Sequence, residues 1–301
     1  FNAVNGSTFT ADITVNGITV GKGANSVGSN IAIGSGALDA SVTGANNLAI
    51  GFNALTECTS GPNNVAIGNY TLDSLTTGQA NTGVGYNSLQ AVTTQRFNTA
   101  VGRSALQYNT AENNTAVGYL ALQQNTTGGS NVAVGFEAMK LNTTGATNVA
   151  VGERAMQQNT TGNENVGIGQ FGLQVNTTGD RNTAVGYAAL DANTTADNNT
   201  AVGALSLSAN TTGAQNVAVG SRSLQSNTTG GDNTAIGMDS LYSNVSGSRN
   251  TAVGQNALEN NTTNNNVAVG YNCLLSNTTG EQNVAVGAQA LDANTTASYN
   301  T

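Results

Sequence analysis

Asn131-Val132-Ala133-Val134-Gly135-Phe136-Glu137-Ala138-Met139-Lys140-Leu141-Asn142-Thr143-Thr144-Gly145-Ala146-Thr147 is a 17-residue stretch that decides the fold, because close copies precede and follow it. The copies align on their first asparagine. Upstream of Asn131 the anchors are Asn30, Asn47, Asn64, Asn81, Asn98 and Asn114. Downstream they are Asn148, Asn165, Asn182, Asn199, Asn216, Asn233, Asn250, Asn266 and Asn283. These sixteen repeats are 17 residues long, except those beginning at Asn98 and Asn250, which have 16. The missing residue falls in polar stretches around Glu112 and Asn264, as expected of a surface turn.

With the anchor counted as position zero, position four is Gly in every repeat, from Gly34 to Gly287. Position three is always Val or Ile and position eight always Leu or Met. Position seven holds small residues, mostly Ala or Ser, with Thr71, Gly172 and Cys273 as variants. Charged residues such as Asp39, Arg103, Glu137, Lys140, Arg154 and Asp292 fall elsewhere. This sorting marks the positions that face a core.

Thr or Val at position one and Val or Ile at position three point to one side of a short strand, with Ala or Gly at position two on the other. The glycine bends it. The small-Leu pair at seven and eight predicts a second short strand, and Asn-Thr-Thr-Gly supplies a turn. One such unit buries nothing alone, so the coils stack, each strand pairing in parallel with its equivalent one repeat on. The expected fold is all-β, a parallel β-solenoid or β-roll of sixteen 17-residue coils. Val134, Met139, Val185, Leu190, Val219 and Leu224 are expected to fill the roll. Asn131 and Asn182 belong to one side-chain amide ladder, Asn142 and Asn193 to a second running from Asn109 to Asn294, and Gly135 and Gly186 to the bends.

Composition narrows the function. The 301 residues include 38 Gly but only 8 Lys+Arg and 16 Asp+Glu, a formal charge of −8. That balance lacks the basic footprint of nucleic-acid or anionic-membrane binding. No apolar run approaches the length of about 20 residues that spans a bilayer, so membrane insertion is not expected. There is no histidine, which removes the commonest general base and metal ligand. The acids are scattered rather than paired, and no Gly-rich calcium repeat is present; neither a catalytic site, a metal nor a cofactor is expected. Cys58 and Cys273 lie thirteen coils apart, too far for a bond in a solenoid. The Asn-Thr-Thr triplets at Asn125, Asn142 and Asn159 match a glycosylation sequon, but they recur because the turn recurs.

Each coil offers little apolar volume for its ordered length, so a second buried surface is expected. The small residues at positions two and seven suggest close packing against another chain, in a parallel homo-oligomer with cyclic symmetry. Just after the glycines, Phe52, Tyr86, Tyr119, Phe136, Tyr187 and Tyr271 are candidates either to cover neighbouring coils or to stack on a host polysaccharide.

The Asn-Val-Ala-Val-Gly box with its downstream small-Leu pair resembles the repeats of trimeric autotransporter adhesin heads. The 17-residue spacing and the Asn-Thr-Thr-Gly turn are more similar to shaft repeats of bacteriophage tail fibres. The lead-in Ala11-Asp12-Ile13-Thr14-Val15-Asn16-Gly17-Ile18-Thr19-Val20-Gly21-Lys22-Gly23 is also similar to that of such fibres. The resemblance covers nearly the whole chain. It implies a left-handed roll, a homotrimer, and a virion shaft that carries a receptor-binding tip, attached to other tail or baseplate proteins and directed at a host surface polysaccharide or protein. The alternatives are a bacterial cell-surface adhesin whose repeats contact the host, and a tailspike depolymerase with acids gathered between subunits.

Independently of that resemblance, Ile13-Thr14-Val15 and Ile18-Thr19-Val20 flank Asn16-Gly17, a strong hairpin signal. Residues 1–29 are therefore expected to form a β-hairpin cap or adaptor, and 30–301 the repeat shaft, cut within the next repeat at Asn300.

Overall fold

The computed structural model describes residues 12–301; the first eleven residues of the expected cap lie outside the described residues. The chain divides into two compact units, Phe1–Asn131 and Val132–Thr301. Each is an all-β parallel solenoid.

The first unit opens with strands β1 (Ile13–Val15) and β2 (Ile18–Gly21), paired antiparallel in the register Ile13 to Val20. The turn between them has positive φ at both Asn16 and Gly17, which suits the twist of a two-residue hairpin. β2 then pairs antiparallel with β3 (Ile31–Ile33), so the hairpin covers the edge of the first coil. From there the pairing is parallel, one strand per coil, through Leu48–Ile50, Val65–Ile67, Thr82–Val84, Thr99–Val101 and Thr115–Val117. The second unit stacks ten such strands, from Val132–Val134 to Val284–Val286. Register never slips: Ala184 stands over Ala201, and Ala201 over Ala218.

The second strand expected at the small-Leu pair is not formed. Its residues make a tight corner in which position six and position eight both take positive φ, as at Glu137 (53°) and Met139 (49°). The corner is still bound to the next coil: Leu190 N–H donates to the Ser206 carbonyl at 3.0 Å, and Leu224 N–H to the Ser240 carbonyl at 2.9 Å. A left-handed residue with a side chain costs roughly 1–2 kcal/mol, and for a β-branched one the conformation is a marked outlier. Position eight must also fill the core. Leu and Met meet both demands, which is why Val and Ile never occur there.

The strand faces are reversed from expectation. Position-two alanines, from Ala32 to Ala268, are fully buried where Ala occurs, whereas Val134, Val185 and Val219 are only half-buried. Val151 and Val202 remain 36% exposed and Ile236 40%. Met139, Leu190 and Leu224 are buried as expected. The coil is too narrow for the other arrangement. A methyl built on Gly83 would already lie 2.6 Å from Thr71 Cγ2, and one on Gly167 2.7 Å from Met156 Cγ. Opposite the strand there is room for alanine or less, so the larger β-branched side chains face outward and the small residues at two and seven face each other inside.

The glycine at position four has φ between 121° and 141° in all repeats. A Cβ on Gly186 would meet the Gly203 carbonyl oxygen at 2.5 Å, so each of these glycines before Gly287 admits the backbone of the coil above it.

These constraints separate two swaps of similar volume. Leu190→Met should cost less than about 1.5 kcal/mol, whereas Leu190→Ile should cost about 2–4 kcal/mol because it puts a β-branched residue at positive φ. Chemical denaturation of both variants checks this; equal losses would contradict the corner's backbone constraint.

Candidate functional surfaces

The interior is held by amides. Asn182 donates Nδ2–H to the Ala196 carbonyl of its own coil at 2.8 Å, and its Oδ1 accepts the backbone N–H of Asn199 at 3.0 Å. Its own backbone N–H donates to Asn165 Oδ1 at 2.8 Å. The Asn131 N–H likewise donates to Asn114 Oδ1, at 2.9 Å. In the second ladder, Asn142 donates to the Gly145 carbonyl at 2.9 Å and accepts from Asn159 at 2.8 Å. Asn193 donates to both Asn176 Oδ1 at 2.9 Å and the Ala196 carbonyl at 3.1 Å. All four expected ladder residues are fully buried.

The two short repeats leave a mark here. With one residue fewer after the turn asparagine, the ladders touch: Asn114 Nδ2 donates to Asn109 Oδ1 at 3.2 Å, and Asn266 Nδ2 to Asn261 Oδ1 at 3.0 Å. The second ladder breaks before Asn261, which keeps its bond to the turn carbonyl, here that of Thr263, but not one to the preceding asparagine, and Asn244 Oδ1 is left buried without a partner.

Outside, a glutamine column runs at position nine. Gln123 donates to Gln107 and Gln107 to Gln90, each at 3.0 Å, and Gln90 reaches Asp73 at 3.5 Å. In the second unit Gln174 donates to Gln157, and Gln157 to Glu137 at 2.7 Å. Lys140 at 2.8 Å and Arg154 at 3.5 Å hold the Glu137 carboxyl below the usual carboxylate range, the Lys140 hydrogen bond contributing most. Asp191 occupies the same column, but burial pushes its carboxyl up and its Oδ1 lacks a partner.

Another outward column lies at position fifteen. Ala146 N–H donates to Asn163 Oδ1 at 2.9 Å, Asn163 N–H to Asp180 Oδ1 at 2.6 Å, and Asp180 N–H to Asp197 Oδ1 at 2.7 Å. A shallow polar groove lies along Ala146, Asn163, Glu164, Asp180 and Arg181. Its aspartate and asparagine oxygens already serve the backbone of the neighbouring coil. Among the described residues there is no group of three or more His, Cys, Asp or Glu placed to hold a metal. Cys58 and Cys273 are free and buried, and burial raises both thiols above their usual range.

The aromatic candidates are not gathered at one place. In the first unit, Tyr86 and Tyr119 flank Arg103, whose guanidinium lies 5.8 and 5.9 Å from their ring centroids. Phe52 and Tyr70 extend this column edge-to-face, with centroids 5.3 Å apart and Tyr70 6.0 Å from Tyr86. In the second unit Phe136 lies under Arg154, and Tyr187 meets Phe171 at 6.1 Å. Tyr271 is half exposed. Sequence reading passed over Tyr70 and Phe171 because they sit at position six. The signal was available in the alternation between positions five and six on adjacent coils.

Comparison of the chain with protein-family models, curated protein sequences and solved structures finds no match.

Two substitutions test the polar columns. Asn182→Ala should cost about 2 kcal/mol, since it leaves the buried Asn199 N–H without a partner and takes one of two donors from the Ala196 carbonyl; denaturant unfolding measures it, and a loss under about 0.5 kcal/mol would reject the amide clamp. Asp191→Asn should raise the melting temperature at pH 7. A carboxyl raised by burial favours folding most when protonated, so that contribution is lost as pH rises through its folded value. The advantage of the amide variant over the parent should therefore shrink on acidification and vanish below about pH 4. A pH-independent difference would contradict it.

Proposed function

We propose that the chain is the mechanical shaft of a bacteriophage tail fibre, a parallel homotrimer on the virion that holds a receptor-binding tip away from the particle. The observation that carries the reading is the outward strip formed by positions one and three. In each unit every coil adds one Thr, Val, Leu or Ile and one Val or Ile to the same face, where Ile168 and Ile236 are about 40% exposed. Monomeric proteins rarely leave a contiguous apolar face of this kind uncovered. A copy of the same chain presents the same strip at the same spacing, which makes rotational packing about a common axis the simplest cover.

The proposed oligomer thus rests on different residues from those the sequence suggested. Ala and Ser at positions two and seven are inside the coil, and the β-branched residues take the intersubunit role. The assignment to a fibre, and with it the attachment to tail or baseplate proteins and a host surface polysaccharide or protein, rests on the repeat's resemblance to fibre shafts. The role is mechanical rather than catalytic. A second reading, a bacterial surface adhesin whose repeats touch the host themselves, draws on the exposed aromatic column of the first unit.

Light scattering of the purified chain should give three times the monomer mass. Val151→Lys combined with Val202→Lys should reduce it to the monomer mass while leaving β-structure by circular dichroism unchanged, because both side chains are exposed in the single chain. A parent chain that stays monomeric at micromolar concentration would defeat the trimer. Microscopy of the parent particle then separates a rod on a phage tail from one rooted in a cell envelope.

A further inference from the structure

We propose that the column Phe52, Tyr70, Tyr86, Arg103 and Tyr119 in the first unit binds a linear polysaccharide bearing carboxylate groups, with Arg103 as the anion anchor. The inference goes beyond the shaft reading and does not depend on the number of subunits.

The column takes one residue from each of five consecutive coils. With about 4.8 Å between coils it extends roughly 19 Å, long enough for several sugar rings in a line. Phe52, Tyr86 and Tyr119 are each 40–45% exposed. The faces of Tyr86 and Tyr119 turned toward Arg103 are taken by its guanidinium, so a sugar meets the exposed remainder of these rings and of Phe52, while tyrosine hydroxyls serve sugar hydroxyls.

Arg103 sets the charge of the ligand. It is exposed, and among the described residues it has no carboxylate partner. The chain's other ring-stacked arginines differ: Arg96, Arg154 and Arg222 lie over Phe97, Phe136 and Tyr242, and each is ion-paired, with Glu112, Glu137 and Asp239. Tyr86 and Tyr119 hold the Arg103 guanidinium between them, leaving its N–H donors for a carboxylate. A nucleic acid would need many more cations than this surface offers. A second copy of the chain is a poorer occupant, because the Val/Ile strip runs through every repeat whereas position five carries rings only in some coils and Glu153, Gln170, Ala204, Ser221 or Gln255 in others.

Calorimetric titration of the full chain with an oligogalacturonate, against an uncharged maltooligosaccharide of equal length, tests the proposal. Position five already accommodates Gln170 and Ser221, so Arg103→Gln and the double variant Tyr86→Ser, Tyr119→Ser are compatible with the fold. The uronate should bind at least about tenfold more tightly than the neutral sugar. Arg103→Gln should abolish that preference, and the double variant should abolish binding of both. The proposal is overturned if the uronate does not bind at millimolar concentration, or if both sugars bind alike and Arg103→Gln changes neither. It is also overturned if the double variant lowers the mass of the assembly in light scattering, which would make the column a seam between copies.

Discussion

Everything in this molecule depends on one side chain doing two jobs. The anchor asparagine closes its own coil through Nδ2 and fixes the next through Oδ1, as Asn182 does with Ala196 and Asn199. A coil this narrow carries its turn backbone inside, out of reach of water, and unpaired groups there would each cost about 1–3 kcal/mol. Aspartate has no Nδ2 donor and would bring a buried charge; glutamine is one methylene too long for the same carbonyl. The result is a chain of amides all pointing one way. Strand pairing of three residues per coil would be a weak link by itself, but with the amides the coils are bonded around much of their perimeter.

The second constraint is backbone handedness. Turning a full circuit in 17 residues requires left-handed residues at several corners, and only one of them, position four, is always glycine. There the next coil's backbone approaches too closely for any side chain. At position eight the chain accepts the conformational cost because a large apolar side chain is needed to fill the coil. The sequence records that compromise in its alternatives: Met139 and Met156 replace Leu, and nothing β-branched does. Volume is matched locally as well. Thr71 is the bulkiest position-seven residue, and the strand position it meets in the next coil is Gly83 rather than Ala.

The period, the glycine bends, both asparagine ladders and the Asn16-Gly17 hairpin were legible because each is a local rule repeated many times or a strong dipeptide signal. The facing of the strand was not. Thr-Ala-Val alternates as any half-buried strand does, and hydrophobicity alone sends Val185 inward. What decides otherwise is a global quantity, the width of the coil, which excludes a valine opposite Ala189 and Leu190. The missing second strand has the same origin: an Ala-Leu pair reads as extended until the corner geometry demands positive φ at the leucine. The aromatic column was half legible, since position five was visible in the alignment while its partners Tyr70 and Phe171 at position six were not.

This division of labour has a consequence for how such a chain acquires function. Inward positions zero, two, four, seven and eight are nearly fixed by amide pairing, volume and backbone handedness, so they carry little that is specific to any one coil. Outward positions one and three are held to β-branched or other apolar residues by strand geometry and by whatever covers the strip. That leaves positions five, six, nine, fifteen and sixteen free to differ from coil to coil, and there the chain places most of its aromatic rings, its arginines and most of its carboxylates. Specificity in a solenoid of this kind is therefore written as columns. A residue at one of these positions acts chiefly with residues at the same or adjoining positions in the neighbouring coils, as Arg103 does with Tyr86 and Tyr119.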